Sequence, residues 1–516
     1  CTSSMVTVKG NVHLTNITID GGYRTERVVT STDSMVKVEK ADLTLGEGAV
    51  LQNNFRKGGN DQAGGGGLYV SNGKVTMENG AVIQNCQALI HGGGVSLMED
   101  AVLVMNAGSK ITGNSVTTNR EHSGGGGIFA GYNASVELNA GCEVSNNSAY
   151  NGGGISLGSS ENDVFVKETA PILVMNGGNL VHNTAIRGGG GLFVQSNCKA
   201  TIYGGNISNN HTDDAGYNTY GGGGIYVNGG KPGFANGVVQ LYNVEVADNT
   251  GKDGAAISGC PTSRTTIYVT NGGVIHDNTS SSDIFLDKDD KGAARLHLSP
   301  VMLGGGAYHW TDAEGNELPL LNSGLIPADT VRFKAKTAVT GDALTGLDQI
   351  KVRITGNTSD GRGAAIGSNG DVIIGTAPDE TVELMVKKAW NDSGYESLRP
   401  TSVKVRIYAQ VGTSEPVAIG FVELTAENGW KALITGLPKE DGGVQIQYSI
   451  QEVEISSYKS EISGSVEDGF LVTNTYEPEP TQLTVVKNWK GDSTVVRPES
   501  IQVQLLRSGE AYGEPV

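Results

Sequence analysis

Short apolar triplets, each with one polar or aromatic residue in the middle, recur along the first three quarters of the chain directly after runs of glycine. Leu68-Tyr69-Val70, Val95-Ser96-Leu97 and Ile128-Phe129-Ala130 begin a series that continues at Ile155, Leu192, Ile225, Ile257 and Ile284. These first apolar residues stand 27 to 37 residues apart. A second mark keeps step: an aliphatic residue, two spacers, then asparagine, giving Asn54, Asn85, Asn114, Asn147, Asn183, Asn210, Asn249, Asn278 and Asn357. Between the two marks lies a third alternating run, such as Val75-Thr76-Met77. Period-two alternation in short runs bounded by Gly and Asn predicts brief strands and no helices.

Three strands in each stretch of ~30 residues predict one turn of a parallel β-helix solenoid. Apolar side chains at matching positions stack inside such a coil, asparagines at a tight corner bond to one another, and glycine supplies the positive φ that corners need. About ten turns spaced ~4.8 Å apart give a rod on the order of 50 Å long. The crossover rule for parallel strands makes the coil right-handed. The spacing breaks once, where Ile284 and Ile366 lie 82 residues apart. Residues 297–348, with Tyr308, His309 and Trp310, therefore read as an insertion or irregular turns. The fold class expected for residues 1–376 is thus all-β, a right-handed parallel β-helix solenoid.

Composition locates the boundary of this module. Of 76 glycines, 64 fall within residues 1–376 and 12 beyond, so the glycine-rich corners stop where a different pattern begins. Only 14 prolines and no G-X-Y period exclude collagen. A net charge of −18 without basic clusters argues against a nucleic-acid partner, because phosphate neutralisation needs Lys/Arg stripes. No apolar run is long enough to span a membrane. The five cysteines lie singly, at no zinc-like spacing and in no disulfide framework, so neither metal nor cofactor is expected. The start at Cys1, without a basic-then-apolar leader, is expected of a mature or trimmed piece.

Many β-helices are carbohydrate enzymes, and that chemistry needs carboxylates converging on an outer face. Alternation turns Tyr69, Ser96, Phe129, Ser156, Phe193, Tyr226, Ser258 and Phe285 outward, a column without acid or base that either braces the face or binds a glycan. Length variation concentrates at one corner, between the asparagine and the next glycines, in residues 55–63, 115–123 and 211–220. Insertions at one edge of a rigid scaffold are the usual place for recognition. Phe55, Arg120, His122, Tyr217 and Tyr220, with Trp310 of the insertion, are the candidate ligand-binding residues. The GGA-I and N-x-x repeats resemble those of polymorphic outer-membrane-type adhesins and related surface β-helix proteins.

Residues 377–478 read as strands of a β-sandwich in which three apolar faces each carry one polar group. Lys388 shares a face with Leu384, Val386 and Trp390; Glu452 with Ile446, Tyr448 and Ile450; Asn474 with Phe470, Val472 and Tyr476. Buried and unpaired, each would be costly. K-x-W at Lys388–Trp390, R-P-x-S-V at Arg399–Val403, Trp430 with Leu437-Pro438, Y-x-I-x-E at Tyr448–Glu452 and F-x-V-T-N-T-Y at Phe470–Tyr476 resemble the B-type domains of Gram-positive collagen adhesins (Cna-B). The resemblance implies a spontaneous Lys388–Asn474 isopeptide cross-link, with Glu452 shuttling the proton as ammonia leaves. The motif restarts at Leu483, Val485, Lys487 and Trp489, so residues 479–516 read as a truncated second copy.

These readings together predict a secreted, cell-wall-anchored surface adhesin or host-factor-binding protein: a β-helix head on an isopeptide-stabilised stalk. Its expected partners are a host glycoprotein, glycan or other host surface protein, and the wall itself through an anchor beyond Val516. Apart from single-turnover cross-linking it is expected not to be an enzyme. The alternatives are a β-helix glycosidase or polysaccharide lyase acting on host or dietary glycans, and a structural spacer.

Overall fold

The computed structural model describes residues 3–58, 64–158, 169–213, 221–229, 236–259, 266–269, 273–287, 295–298, 308–312, 325–327, 332–339, 352–368, 372–374, 381–413, 415–441, 444–477 and 483–516, apart from positions 25, 27–28, 121 and 492–495. From Val6 to Ile374 the strands stack into parallel sheets as a β-helix solenoid. Each full turn, or rung, has four strands rather than three. In one rung these are Leu68–Ser71, Lys74–Met77, Val82–Gln84 and Gln87–Ala88. They pair in parallel with Val95–Met98, Val102–Met105, Lys110–Thr112 and Ser115–Val116 of the next. The fourth strand follows the asparagine and is often only two residues long, too short for any alternation to announce it. The first face carries eleven parallel strands, which at ~4.8 Å per step gives a stack of about 50 Å.

Inward side chains such as Leu68, Val70, Val75, Met77 and Ile83 are fully buried and repeat at the same height in rung after rung. At the corner before the fourth strand, Asn53, Asn146, Asn209 and Asp248 hold φ of 54–58°. The next residue of each rung points its amide inward, building a ladder in which each Asn accepts from the backbone and side-chain N–H of its neighbour. One expected member is displaced. Asn85 occupies the positive-φ position, at 53°, and Cys86 fills the ladder slot instead. Burial pushes the Cys86 thiol up to about 12, so it stays a neutral filler. The glycine clusters answer a close approach: a Cβ on Gly126 would stand 2.4 Å from the carbonyl oxygen of Gly153 in the rung above.

Seven of the eight outward residues, Ser96, Phe129, Ser156, Phe193, Tyr226, Ser258 and Phe285, are buried, and Tyr69 is half-buried; Phe193 and Tyr226 form a cluster separate from the interior core. Long side chains fold over the column. The His91 ring stacks on Phe129 with centroids 4.1 Å apart, Phe193 stacks on Tyr226 at 5.2 Å, and the Arg362 guanidinium lies 4.4 Å from the Phe285 centroid. Alternating small and aromatic residues leave room for these covers, which the strand pattern alone does not reveal. The column therefore braces the face and is not an open glycan platform.

The last rungs are not stacked in chain order. After Thr266–Val269 the chain skips one full turn and lays Gly273–His276, Ile284–Asp287 and Arg295–Leu298 at the end of the stack. Val352–Thr355, Thr358–Arg362, Ile366–Ser368 and Val372–Ile374 return to fill the gap. Val352–Thr355 thus pairs with Val244–Ala247 on one side and Gly273–His276 on the other. Within 297–348, the expected insertion, Tyr308–Asp312, Leu325–Pro327 and Arg332–Val339 pair antiparallel and cap two sheet edges. Tyr308–Asp312 and Leu325–Pro327 are then the terminal strands of those two sheets, so each parallel stack ends on a short antiparallel edge.

Residues Thr381–Tyr476 form two four-stranded sheets. One orders Lys431–Pro438, Thr381–Asn391, Gly469–Tyr476 and Tyr458–Ser465; the other orders Val417–Thr425, Ser402–Val411, Val444–Glu452 and Glu440–Asp441. The expected alternation holds: Ile446, Tyr448, Ile450 and Glu452 are buried, while Gln445, Gln447, Ser449 and Gln451 are exposed. Among the described residues of 483–516, the paired strands are Leu506–Arg507 and Glu510–Ala511.

Candidate functional site

The first and last strands of the sandwich, Thr381–Asn391 and Gly469–Tyr476, run parallel side by side, with Lys388 opposite Val472 and Trp390 opposite Asn474. Period-two alternation therefore puts Lys388 and Asn474 on one inward face. Glu452 comes from the facing sheet, at the end of Val444–Glu452, where the apolar run Ile446, Tyr448, Ile450 carries it inward. The three meet in the core. Lys388 Nζ lies 3.1 Å from Glu452 Oε1, with side-chain exposures of 0 % and 2 %. Asn474 Nδ2 donates to the same Oε1 at 3.2 Å, and Asn474 is fully buried.

Lys388 Nζ has the Glu452 carboxylate as its ion-pair partner, whereas Asn474 Oδ1 is buried and accepts no hydrogen bond. Leaving a buried carbonyl without a donor costs roughly 1–3 kcal/mol. Burial holds the Lys388 ammonium below the ordinary lysine range, opposed by the charge of Glu452. The Trp390 indole covers the amine, its centroid 4.4 Å from Nζ, and is itself packed edge-on by Trp430 and Tyr458.

A neighbouring network holds this lid. Asp392 accepts from Arg399 Nε at 2.8 Å, Arg399 Nη2 at 2.6 Å and Tyr458 Oη at 3.0 Å. The guanidinium keeps the Asp392 carboxyl below the usual range. Sequence reasoning noted Arg399 only as part of a motif and missed Asp392 and Tyr458. Their signal was weak: an acid two residues after Trp390 and a lone aromatic in an otherwise polar strand.

The loop candidates are not brought together. Phe55 lies on the fourth face with its ring 5.4 Å from Tyr23, edge to face. Arg120 is exposed and His122 half-buried on a loop that leaves the solenoid two rungs higher. Tyr217 and Tyr220 lie outside the described residues, and Trp310 sits on Tyr308–Asp312 opposite Thr337. Among the described residues no group of three or more His, Cys, Asp or Glu is placed to hold a metal ion. Cys86, Cys142 and Cys198 are buried and form no disulfide. Among the described residues no helix is long and apolar enough to cross a membrane.

Residues 384–475 match the family model described as Cna protein B-type domain. The chain is also 33 % identical over 150 residues to the collagen adhesin of Staphylococcus aureus, across 28 % of this chain and 12 % of that protein. It thus spans about an eighth of the curated relative's length. The matches support an extracellular, cell-wall-anchored surface protein whose solenoid is followed by a B-type module. Solved structures that align include a single B repeat unit of the collagen binding protein of Staphylococcus aureus (16 % identity, 41 % of this chain, 97 % of that one, TM-score 0.18). The pilus adhesin SpaC of Lactobacillus rhamnosus GG aligns at 20 % identity, over 18 % and 12 % of the two chains, with TM-score 0.16.

Proposed function

We propose that the chain is part of a surface adhesin in which the β-helix presents a host-binding head and the B-type module is a covalently locked stalk. The observation that carries the stalk reading is the buried Lys388, Glu452 and Asn474 cluster, with the Glu452 carboxylate in reach of both nitrogens and the Asn474 carbonyl without a donor. The neutral Lys388 amine attacks the Asn474 side-chain carbonyl carbon. The Nζ–Cγ bond forms, the Cγ–Nδ2 bond breaks, and Nδ2 departs as ammonia. Glu452 Oε1, in reach of both nitrogens, takes the proton from Nζ and returns it to the leaving nitrogen. The link closes a loop of 87 residues, 388 to 474 inclusive. By analogy with disulfide loop closure this contributes roughly 4–5 kcal/mol.

For the head, support comes from the rigid rung scaffold, the loops that leave its fourth face, the GGA/N repeat likeness to surface β-helix adhesins, and the collagen-adhesin match. Host glycoproteins, glycans or other host surface proteins are the ligands proposed. Intact mass tests the stalk: the wild type is expected about 17 Da below its composition mass, for one ammonia lost, and Lys388→Ala at its full composition mass. A wild type at full mass refutes the cross-link. Binding of the full chain to immobilised host glycoproteins and glycans, before and after changing Phe55, Arg120 and His122, tests the head; binding indifferent to those loops refutes their role.

A further inference from the structure

The rung that leads directly into the B-type module is not the end of the solenoid. Residues 352–374 are enclosed by residues 244–269 on one side and 273–298 on the other, in three of the four sheets. The asparagine ladder gives the same order independently of the sheets. Asn249 donates from its backbone and side chain to Asn357 Oδ1 at 3.0 Å, and Asn357 donates in turn to Asn278 Oδ1 at 3.0 and 2.9 Å. The spatial order is therefore 249, 357, 278. The corner residues agree with it. Gly254-Ala255-Ala256 and Gly363-Ala364-Ala365 are adjacent, Ala256 N–H donating to the Ala364 carbonyl, while the end rung carries Ser281-Ser282-Asp283. The rung near the opposite end likewise has Asp33-Ser34-Met35 in place of glycines.

We propose that this skipped and later filled turn is a mechanical clamp. A load arriving from the module after Gly375 enters an interior rung, whose release requires two sets of β-ladders to break. In a solenoid wound in chain order the loaded rung would be terminal and would peel from a single neighbour. The earlier segment 273–298, with its antiparallel cap, holds the loaded rung in place from outside. The mechanical part rests on reading the C-terminal module as the load path, whereas the winding order stands without it.

Paired cysteines test the order in the full chain. Thr355 is the lateral partner of both Ala247 and His276. Neighbouring strands at ~4.8 Å lie within disulfide reach and next-but-one strands at ~9.6 Å do not. Ala247→Cys with Thr355→Cys is expected to close on mild oxidation, as identified by peptide mapping, and Ala247→Cys with His276→Cys is not. Closure of the 247–276 pair, or failure of the 247–355 pair, overturns the winding. For the clamp, single-molecule pulling between a handle at the exposed mid-solenoid position Tyr203→Cys and the C-terminal end, which leaves the N-terminal rungs outside the load path, is read at the first solenoid event. Asn249→Ala and Asn278→Ala, which flank Asn357 from opposite sides, are each expected to lower its rupture force. A drop for Asn278→Ala alone overturns the clamp while leaving the adhesin reading untouched.

Discussion

Asn183 lies near the middle of the ladder and offers its most direct energetic test. Its side chain takes part in four hydrogen bonds at full burial. Nδ2 donates to the Val144 carbonyl at 3.0 Å and to Asn210 Oδ1 at 3.1 Å. Its Oδ1 accepts from the backbone and side-chain N–H of Asn147, each at 3.0 Å. Asn183→Ala removes all four and takes the side-chain partner from the Asn147 backbone N–H and the Val144 carbonyl, while Asn147 Nδ2 keeps the Ile111 carbonyl. Each net bond is worth about 1 kcal/mol and each stranded group costs about 1–3, so a loss of roughly 3–5 kcal/mol is expected. Solenoid stability is a sum over rungs and interfaces, so a global melt blurs such a loss. Hydrogen exchange at the amides of Asn147, Asn183 and Asn210 reads it locally. Asn183→Asp sharpens the case. The carboxylate still accepts from Asn147 but faces two oxygens, Val144 O and Asn210 Oδ1, so it is expected to be worse than alanine at neutral pH. Those oxygens raise its folded pKa, so stability should recover as pH falls toward the unfolded value near 3.9, where the protonated acid donates again. Protection of these amides unchanged within about 1 kcal/mol in Asn183→Ala would refute the ladder as a stabilising element.

Two further predictions concern pH. Burial, with His122 and Arg56 nearby, pushes the His91 imidazole down to about 3. The unfolded chain binds that proton below ~6.5, so stability should fall from there toward pH 3 by up to about 1.4 kcal/mol per unit. His91→Leu should remove one proton from that slope in urea titrations, and an unchanged slope would contradict the assignment. Asp392, held low by Arg399, contributes stability that is present above its unfolded value near 3.9 and lost as pH falls through the depressed folded one. Arg399→Ala should lower the thermal midpoint at pH 7 and move the acid loss to higher pH; equal midpoints at pH 7 would contradict it.

Much of the solenoid was legible because its signals are periodic. Inward residues such as Val75 and Ile83 repeat on every rung, and glycine marks each corner where backbones of neighbouring rungs nearly touch. What periodicity cannot carry is anything two residues long, so the fourth face at Gln87–Ala88 stayed hidden inside what read as a loop. Burial of the outer column was hidden for another reason: alternation gives the side a residue faces, not what folds over it, and His91 reaches Phe129 from a neighbouring corner. Asn85 was misplaced because two adjacent positions, one needing positive φ and one needing an inward amide, both favour asparagine. The winding order was unreadable from spacing, since an insertion and a skipped turn leave the same gap between Ile284 and Ile366. In the sandwich, Lys388, Glu452 and Asn474 stood out because charged or amide groups on apolar faces are rare, whereas Asp392 and Tyr458 lay among ordinary polar residues.

The fourth face also makes the solenoid a graduated scale. Its loops depart after Arg56, Val116 and Thr212, on the second, fourth and seventh rungs. Their roots are therefore separated by two and three steps, about 10 and 14 Å along the axis. Those intervals are whole multiples of one strand spacing and do not depend on the loops' own sequences. Adding or deleting one rung between two loops would shift them by a single step while leaving each loop's root unchanged. Distance between these loops is thus a counted quantity, set by rung number and separable from the chemistry that each loop carries.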